Sequence, residues 1–149
     1  MLVQIAFASL LVLATVLIHA ICTAGTLGWL RSIASHHWVL RNTVTRAAVL
    51  AGVVFLMLMA AFLEAGLWAL LYVGVGELPD LEDALYFSLV TFTTLGYGDL
   101  TLKEEWRILG AFQAANGVIM FGWTTALIVA VAHRLFIHHE SGEIRSTNS

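Results

Sequence analysis

The stretch FTTLGYGDL, residues 92–100, decides how the rest of the chain is interpreted. It places two glycines around a tyrosine, after a pair of threonines and before an aspartate, and long apolar runs lie on both sides of it. Because glycine readily takes positive φ, left- and right-handed conformations can alternate along Thr94, Leu95, Gly96 and Tyr97 and turn successive carbonyls to one side. Four such strands around an axis would stack rings of oxygens that replace the hydration shell of a cation.

The composition indicates a membrane protein. Of 149 residues, 60% are hydrophobic and 11% charged, and the mean hydropathy is +0.88. The net charge of −3, without a basic block, gives no sign of a nucleic-acid partner. The sequence has one cysteine, Cys22, and it has no nucleotide-binding loop, nucleophile–base set or cluster of metal ligands. We therefore predict neither enzymatic activity nor a cofactor.

Three apolar segments reach the roughly 20 residues that a membrane span requires, at residues 2–24, 47–75 and 108–132. A secretory signal peptide is the alternative for the first segment. Its apolar run exceeds the usual h-region of about 7–15 residues, and the first 30 residues lack Lys and Arg, so a retained helix is predicted. Without repeated arginines this helix is no voltage sensor, and we expect it to be a peripheral, lipid-facing helix.

Basic residues predict the orientation in the membrane. They lie in the first connection and in the tail, whereas the second connection is mostly acidic; the basic residues are Arg31, Arg41, Arg46, Arg134 and Arg145. The predicted topology is multi-pass in the plasma (inner) membrane, with the N-terminus outside and the C-terminus cytoplasmic. Residues 27–44 form either an interfacial helix or a solvated loop. Four cytoplasmic histidines are either proton sensors or solvated side chains: His36, His37, His138 and His139.

The acidic connection contains a short apolar helix, LEDALYFSLVTF, predicted over Leu81–Phe92. Pro79 ends the preceding span, Asp80 is the predicted N-cap, and Asp83 follows in a capping-box position. Twelve residues extend about 18 Å, which is too short to span a core of about 30 Å. The segment is therefore predicted to re-enter the membrane and to return through residues 93–99. Non-helical backbone at that depth must be buried in protein or line a water-filled path.

These motifs resemble the pore of the potassium-channel family, whose filter is usually written T-V-G-Y-G-D, with Leu95 in the valine position. The resemblance covers residues 47–136 and includes Trp106 after the filter and the inner-helix stretch NGVIMFGWTTA, residues 116–126. It implies an all-α membrane protein with three transmembrane helices, a re-entrant pore helix and a filter loop in a tetrameric potassium-channel architecture. Residues 1–46 are then an N-terminal helix and linker, and residues 137–149 a short cytoplasmic tail.

The resemblance also implies roles for individual residues. Potassium would be coordinated by Thr94, Leu95, Gly96 and Tyr97. The filter and outer mouth would be supported by Thr93, Gly98, Asp99 and Glu64. An inner-helix hinge and cavity lining would come from Gly117, Val118, Phe121 and Thr125. Some members of the family have a glutamate and paired tryptophans behind the filter. This chain has Val90, Tyr86 and Phe87 at those positions, so the resemblance does not imply slow filter inactivation.

Glu64 is an intramembrane carboxylate and should have a partner. One hypothesis pairs it with Ser88, Thr91 or Tyr97 behind the filter, and the other makes it a structural residue between helices. For Gln113 and Asn116, hydrogen bonds across helices are favoured over contact with the cavity.

The predicted function is a potassium-selective channel subunit that conducts K⁺ passively, with the ion as cargo rather than cofactor. One pore segment per chain predicts a homotetramer surrounded by lipid. The alternatives are a weakly selective cation channel and a non-conducting assembly or regulatory subunit.

Overall fold

A computed structural model describes residues 2–34 and 42–136, and this part of the chain consists of four α-helices without a strand. They are α1 (Leu2–Ala34), α2 (Thr43–Gly74), α3 (Leu81–Phe92) and α4 (Arg107–Phe136). Within the described residues, α1, α2 and α4 are long and apolar enough to cross a membrane. The predicted all-α class and the three spans are confirmed, and α3 has the predicted bounds.

The first helix is longer than the sequence predicts. It continues past residue 24 to Ala34, so the start of the predicted interfacial segment, residues 27–34, belongs to α1. The Thr26 hydroxyl donates to the Cys22 carbonyl within the helix at 2.7 Å, and Leu30 packs into an apolar cluster with residues of α2 and α4. Tertiary packing thus extends α1. Residues 35–41 and 137–149, with the four histidines that the sequence predicts to be cytoplasmic, lie outside the described part.

A tight turn joins α2 to α3. The Gly76 amide donates to the Val73 carbonyl at 3.0 Å, and the Glu77 amide donates to the Tyr72 carbonyl at 3.1 Å. Gly76 has a φ of 74°, and this pair of bonds is the Schellman motif that ends many helices. Asp80 then caps α3, as predicted, because its Oδ1 accepts from the amides of residues 82 and 83 at 2.8 and 3.3 Å.

Two apolar clusters hold the helices together. In the first, α3 is packed between α2 and α4, and the Tyr72 and Phe87 rings meet edge to face with centroids 5.1 Å apart. The second joins the other ends of α1, α2 and α4 through Leu30, Met57 and Leu127. This packing fixes the end of α3 and therefore the start of the segment that follows it.

Candidate ion-conduction site

The backbone after α3 alternates in handedness. Thr94, Gly96 and Gly98 have φ angles of 61°, 56° and 80°. Thr93 has a φ of −79°, and Leu95 and Tyr97 are not in the positive-φ region. The sign of φ therefore changes at each step along residues 93–98, which is the alternation that the glycines predict.

The amides at the start of this segment bond back to α3. Thr94 donates to the Thr91 carbonyl at 3.0 Å, and the amides of Leu95 and Gly96 share the Val90 carbonyl at 3.0 and 3.3 Å. In the described part of the chain, no hydrogen bond uses the carbonyls of residues 94–97. These oxygens are therefore available to a ligand.

One chain leaves this segment uncovered. Residues 93–99 are all exposed, with Leu95 at 55% and Tyr97 at 68% of full exposure. Polar backbone of this kind is stable at membrane depth only when other protein or a water-filled path adjoins it. The segment is thus incomplete in an isolated chain.

A buried hydrogen-bond network supports α3 from behind. The Gln113 amide donates to the Ser88 hydroxyl at 2.6 Å, and the Tyr72 hydroxyl donates to Gln113 Oε1 at 2.7 Å. Ser88 in turn donates to the Ala65 carbonyl. The three side chains are fully buried and join α2, α3 and α4. The interhelical bond predicted for Gln113 is confirmed, but Ser88 and Tyr72 were not predicted as its partners; single polar residues in three apolar helices were the available signal.

Asp99 is held at the outer end of the segment. The Tyr86 hydroxyl donates to Asp99 Oδ2 at 2.6 Å, and Asp99 Oδ1 accepts from the Leu100 amide at 3.1 Å. The Tyr86 bond lowers the pKa of Asp99 because it stabilises the carboxylate. Tyr86, which stands where some family members have tryptophan, thus restrains the acid after the filter. The hydroxyl of Thr93 instead bonds the Leu89 carbonyl of α3 at 2.8 Å.

The segment after Asp99 is tied to the turn before α3. The Lys103 amide donates to Glu77 Oε2 at 3.0 Å, and the Lys103 ammonium lies 3.5 Å from Glu77 Oε1. The Glu77 side chain is only 5% exposed. The unit from residue 77 to residue 103, called the re-entrant unit below, is therefore closed by contacts between its two ends.

The inner helix α4 crosses the end of α3 at Gly117. A Cβ at this position would lie 1.9 Å from the Phe92 carbonyl oxygen, so the crossing requires glycine. The helix continues unbroken through Gly117, and hinge motion there stays a prediction. The predicted cavity residues Val118, Phe121 and Thr125 are exposed on a face that the chain leaves uncovered.

A family model of ion channels matches residues 43–134, which is more than half of the chain. The chain belongs to this ion channel family. The match begins with α2 and covers α2, the re-entrant unit and nearly all of α4. This is the arrangement of two-transmembrane channels with a pore of the potassium-channel type. No curated protein and no solved structure matches the chain. The protein is thus a membrane-embedded member of an ion channel family, and α1 lies outside the matched segment.

Glu64 of the channel contacts α1 and not the filter. Its Oε1 lies 2.9 Å from His19 Nδ1, and both side chains are fully buried. The predicted contact with Ser88, Thr91 or Tyr97 is wrong. Successive residues of α2 point in different directions, so Ala65 faces α3 while Glu64 faces α1. The interhelical alternative describes this residue correctly.

A cavity of about 400 Å³ lies between α3 and the segment after it, beside Val90. Val90, Tyr86, Gly98 and Asp99 are among the residues that line it, and Glu64 is not. The space that Val90 leaves is therefore not filled by Glu64. The Tyr86–Asp99 bond crosses this region instead.

The expectation that α1 is only a lipid-facing helix also needs correction. One face, with Leu10, Leu13, Leu17 and Ile21, is exposed and apolar. The other packs on α2 and α4 of its own chain and buries the polar residues Thr15 and His19. Asn116 donates to Thr15 at 2.8 Å, which confirms the interhelical bond predicted for Asn116.

Proposed function

We propose that this ion channel subunit is selective for potassium and works as a homotetramer. The observation that carries the proposal is the alternation of φ along TTLGYGD, together with the unbonded carbonyls of residues 94–97. Dehydrated K⁺ requires several oxygen ligands at each level of a filter. A chain with one such segment contributes a single strand, so rings of carbonyls require symmetric copies.

The exposure of the filter segment supports assembly. Residues 93–99, Val118 and Thr125 are uncovered in one chain, and all would face the axis or a neighbouring copy in a fourfold arrangement. In that arrangement a water-filled path adjoins the filter and satisfies the requirement on its backbone. The α2–α4 unit would form the pore, corresponding to the predicted domain at residues 47–136.

In this proposal, K⁺ is bound by the oxygens of Thr94, Leu95, Gly96 and Tyr97. Thr93, Gly98 and Asp99 support the filter and its outer mouth, and Gly117 provides the inner-helix hinge. Transport is passive and needs no cofactor. The subunit lies in the lipid of the plasma (inner) membrane with its N-terminus outside, following the basic residues.

Acidic side chains around the outer mouth favour cation entry. Several are exposed in the α3 cap and after the filter, namely Asp80, Glu82, Asp83, Asp99, Glu104 and Glu105. A face with excess negative charge raises the local concentration of cations. Raised ionic strength should therefore weaken this focusing of cations.

A flux assay tests the proposed function. Purified protein in liposomes with an outward K⁺ gradient should carry a K⁺ flux that barium and quaternary ammonium ions block, and its native mass should be that of four chains. Gly96→Ala should abolish the flux because φ is 56° there, whereas Gly52→Ala, at an exposed α2 position with no atom within 4 Å, should retain it. A flux equal for Na⁺ and K⁺ indicates a weakly selective channel, and no flux from intact protein indicates a non-conducting subunit.

A further inference from the structure

We propose that α1 is a brace that positions the inner helix α4 and thereby sets the open probability of the channel. This inference rests on the proposed function, because open probability has meaning only for a conducting pore. It assigns Thr15 and His19 as positioning residues, which act on the pore through α4. Neither residue lies in the segment that matches the ion channel family.

Two polar contacts join α1 to α4. Asn116 Nδ2 donates to Thr15 Oγ1 at 2.8 Å, and His19 Nε2 hydrogen-bonds with Thr124 Oγ1 at 3.2 Å. Thr15 and His19 are one turn apart and fully buried. The His19 ring also meets the Trp123 ring edge to face, with centroids 5.3 Å apart. The polar face of α1 is thus fitted to one face of the inner helix.

The brace is anchored on α2. His19 uses its second ring nitrogen, Nδ1, to hydrogen-bond with Glu64 Oε1 at 2.9 Å. One imidazole therefore connects three helices through its two nitrogens. Polar side chains in an apolar setting have few alternative hydrogen-bond partners. They resist displacement, because a broken bond leaves both groups unsatisfied in the membrane interior.

The two hydrogen bonds between α1 and α4 lie at positions that a movement of α4 would disturb. Asn116 directly precedes Gly117, where α4 crosses the end of α3, and Thr124 directly precedes Thr125 on the predicted cavity face. The two bonds therefore bracket the segment of α4 that would line the cavity. Any displacement of this segment relative to α1 must stretch at least one of them.

The chemistry of α1 favours positioning over plain packing. A helix that only fills space against α2 and α4 needs apolar or small side chains, as Ala8 and Leu30 provide. Buried polar pairs add directional constraints, and their best-attested use in helical assemblies is to specify one register. Here the polar pairs occur on the face toward α2 and α4, while the opposite face is apolar and exposed.

Matched substitutions on α1 separate positioning from structure. Thr15→Val removes the acceptor for Asn116, whereas Thr26→Val at another buried α1 position removes only a bond to the helix's own Cys22 carbonyl. Thr124→Val removes the contact to His19. In single-channel recordings we expect Thr15→Val and Thr124→Val each to change the open-to-closed ratio by a factor on the order of three, as for a typical interhelical bond in membranes. Conductance and reversal potential should stay unchanged, and Thr26→Val should behave as the wild type.

Glu64 gives a rescue test on the α2 side. Glu64→Leu should change the open-to-closed ratio, and Glu64→Gln, whose amide oxygen still accepts from His19 Nδ1, should restore it toward the wild-type value. If these residues had only a structural role, the substitutions would lower the yield of folded protein. They would not change the open probability while leaving the conductance unchanged.

A second measurement does not depend on conduction. In a Cys22→Ala background, spin labels at Val129→Cys on α4 and Leu56→Cys on α2, both exposed positions, report the distance between these helices when labelled chains are diluted into unlabelled ones. We expect Thr15→Val and Thr124→Val to shift or broaden that distance distribution and Thr26→Val to leave it unchanged. If the wild type passes no current but these distances respond, the proposed function fails, and of the inference only the positioning of α4 by α1 stands. If both brace variants match Thr26→Val in the distances, the brace is refuted.

Discussion

Among the residues that the structure describes, Thr94 is the one non-glycine residue with a positive φ. Its φ is 61° although its side chain is β-branched, and such a conformation costs on the order of 1–3 kcal/mol. The bond from its amide to the Thr91 carbonyl and the attachment of the next two amides to Val90 hold the segment in place. Strain of this kind persists where surrounding structure over-determines it, which agrees with a site for ion conduction.

The Tyr86–Asp99 bond predicts an acid response at the outer mouth. Because the pKa of Asp99 is lowered, the bond's stabilising contribution is present above the ordinary pKa of aspartate and is lost as pH falls through the lowered pKa. Tyr86→Phe should return the pKa of Asp99 toward its ordinary value, so outer-side acid should impair the current at a higher pH than in the wild type. A carboxyl-carbon NMR titration of Asp99 would report the same shift. Equal acid midpoints in the two proteins would contradict this account.

Gly117 predicts a large steric effect from one methyl group. In Gly117→Ala the new Cβ would fall 1.9 Å from the Phe92 carbonyl oxygen, and relief of such overlap typically costs about 1–3 kcal/mol. We expect a lower thermal unfolding midpoint in detergent and a displaced end of α3. Gly52→Ala is the control, since nothing lies within 4 Å of its Cβ and alanine is the better helix former. The close approach would be disproved by equal stability of the two variants.

At the scale of elements, length and local chemistry predicted most of the pore. The segment Leu81–Phe92 was predicted with its bounds because Pro79 and Asp80 mark its start and its 12 residues are too few to span. The end of α1 was not predictable in this way. Polar residues and Arg31 interrupt the apolar run after Gly25, and the helix continues because Leu27, Leu30 and Ile33 pack in the cluster with α2 and α4.

The partner of Glu64 also escaped prediction, for a geometric reason. Glu64 and Ala65 are adjacent in sequence but face different neighbours on α2. Which of them faces α3 depends on how α1 and α3 pack around α2, and no local pattern records that. The buried partner His19 lies 45 residues away on a helix for which the sequence predicted only contact with lipid.

The support behind α3 predicts that Gln113 is more important for stability than for conduction chemistry. Gln113→Leu would leave the buried Tyr72 hydroxyl without its acceptor, at a cost of roughly 1–3 kcal/mol, while the Ser88 hydroxyl would keep its bond to the Ala65 carbonyl. We expect a lower thermal midpoint. Gln4→Leu on α1 is the matched control because Gln4 Oε1 is buried and already lacks a partner among the described residues. An equal effect of the two substitutions would argue against the network.

For the whole molecule, three features of one chain are those expected of the homotetramer that we propose. The filter segment offers unbonded carbonyls, the face of α4 with Val118 is uncovered, and the acids are gathered at one end. The sequence predicts a homotetramer from a single re-entrant segment per chain, and that assembly stays a prediction. It did not predict that α1 would be joined to the pore by buried polar contacts.

The most direct test of the central claim is the reversal potential of purified protein in a planar bilayer with both ions on both sides at the same total concentration, K⁺ in excess on one side and Na⁺ in excess on the other. Selectivity for K⁺ predicts a reversal potential close to the potassium equilibrium potential, at which the net flux of K⁺ is zero. A reversal potential near zero in equal concentrations of the two ions would contradict the account.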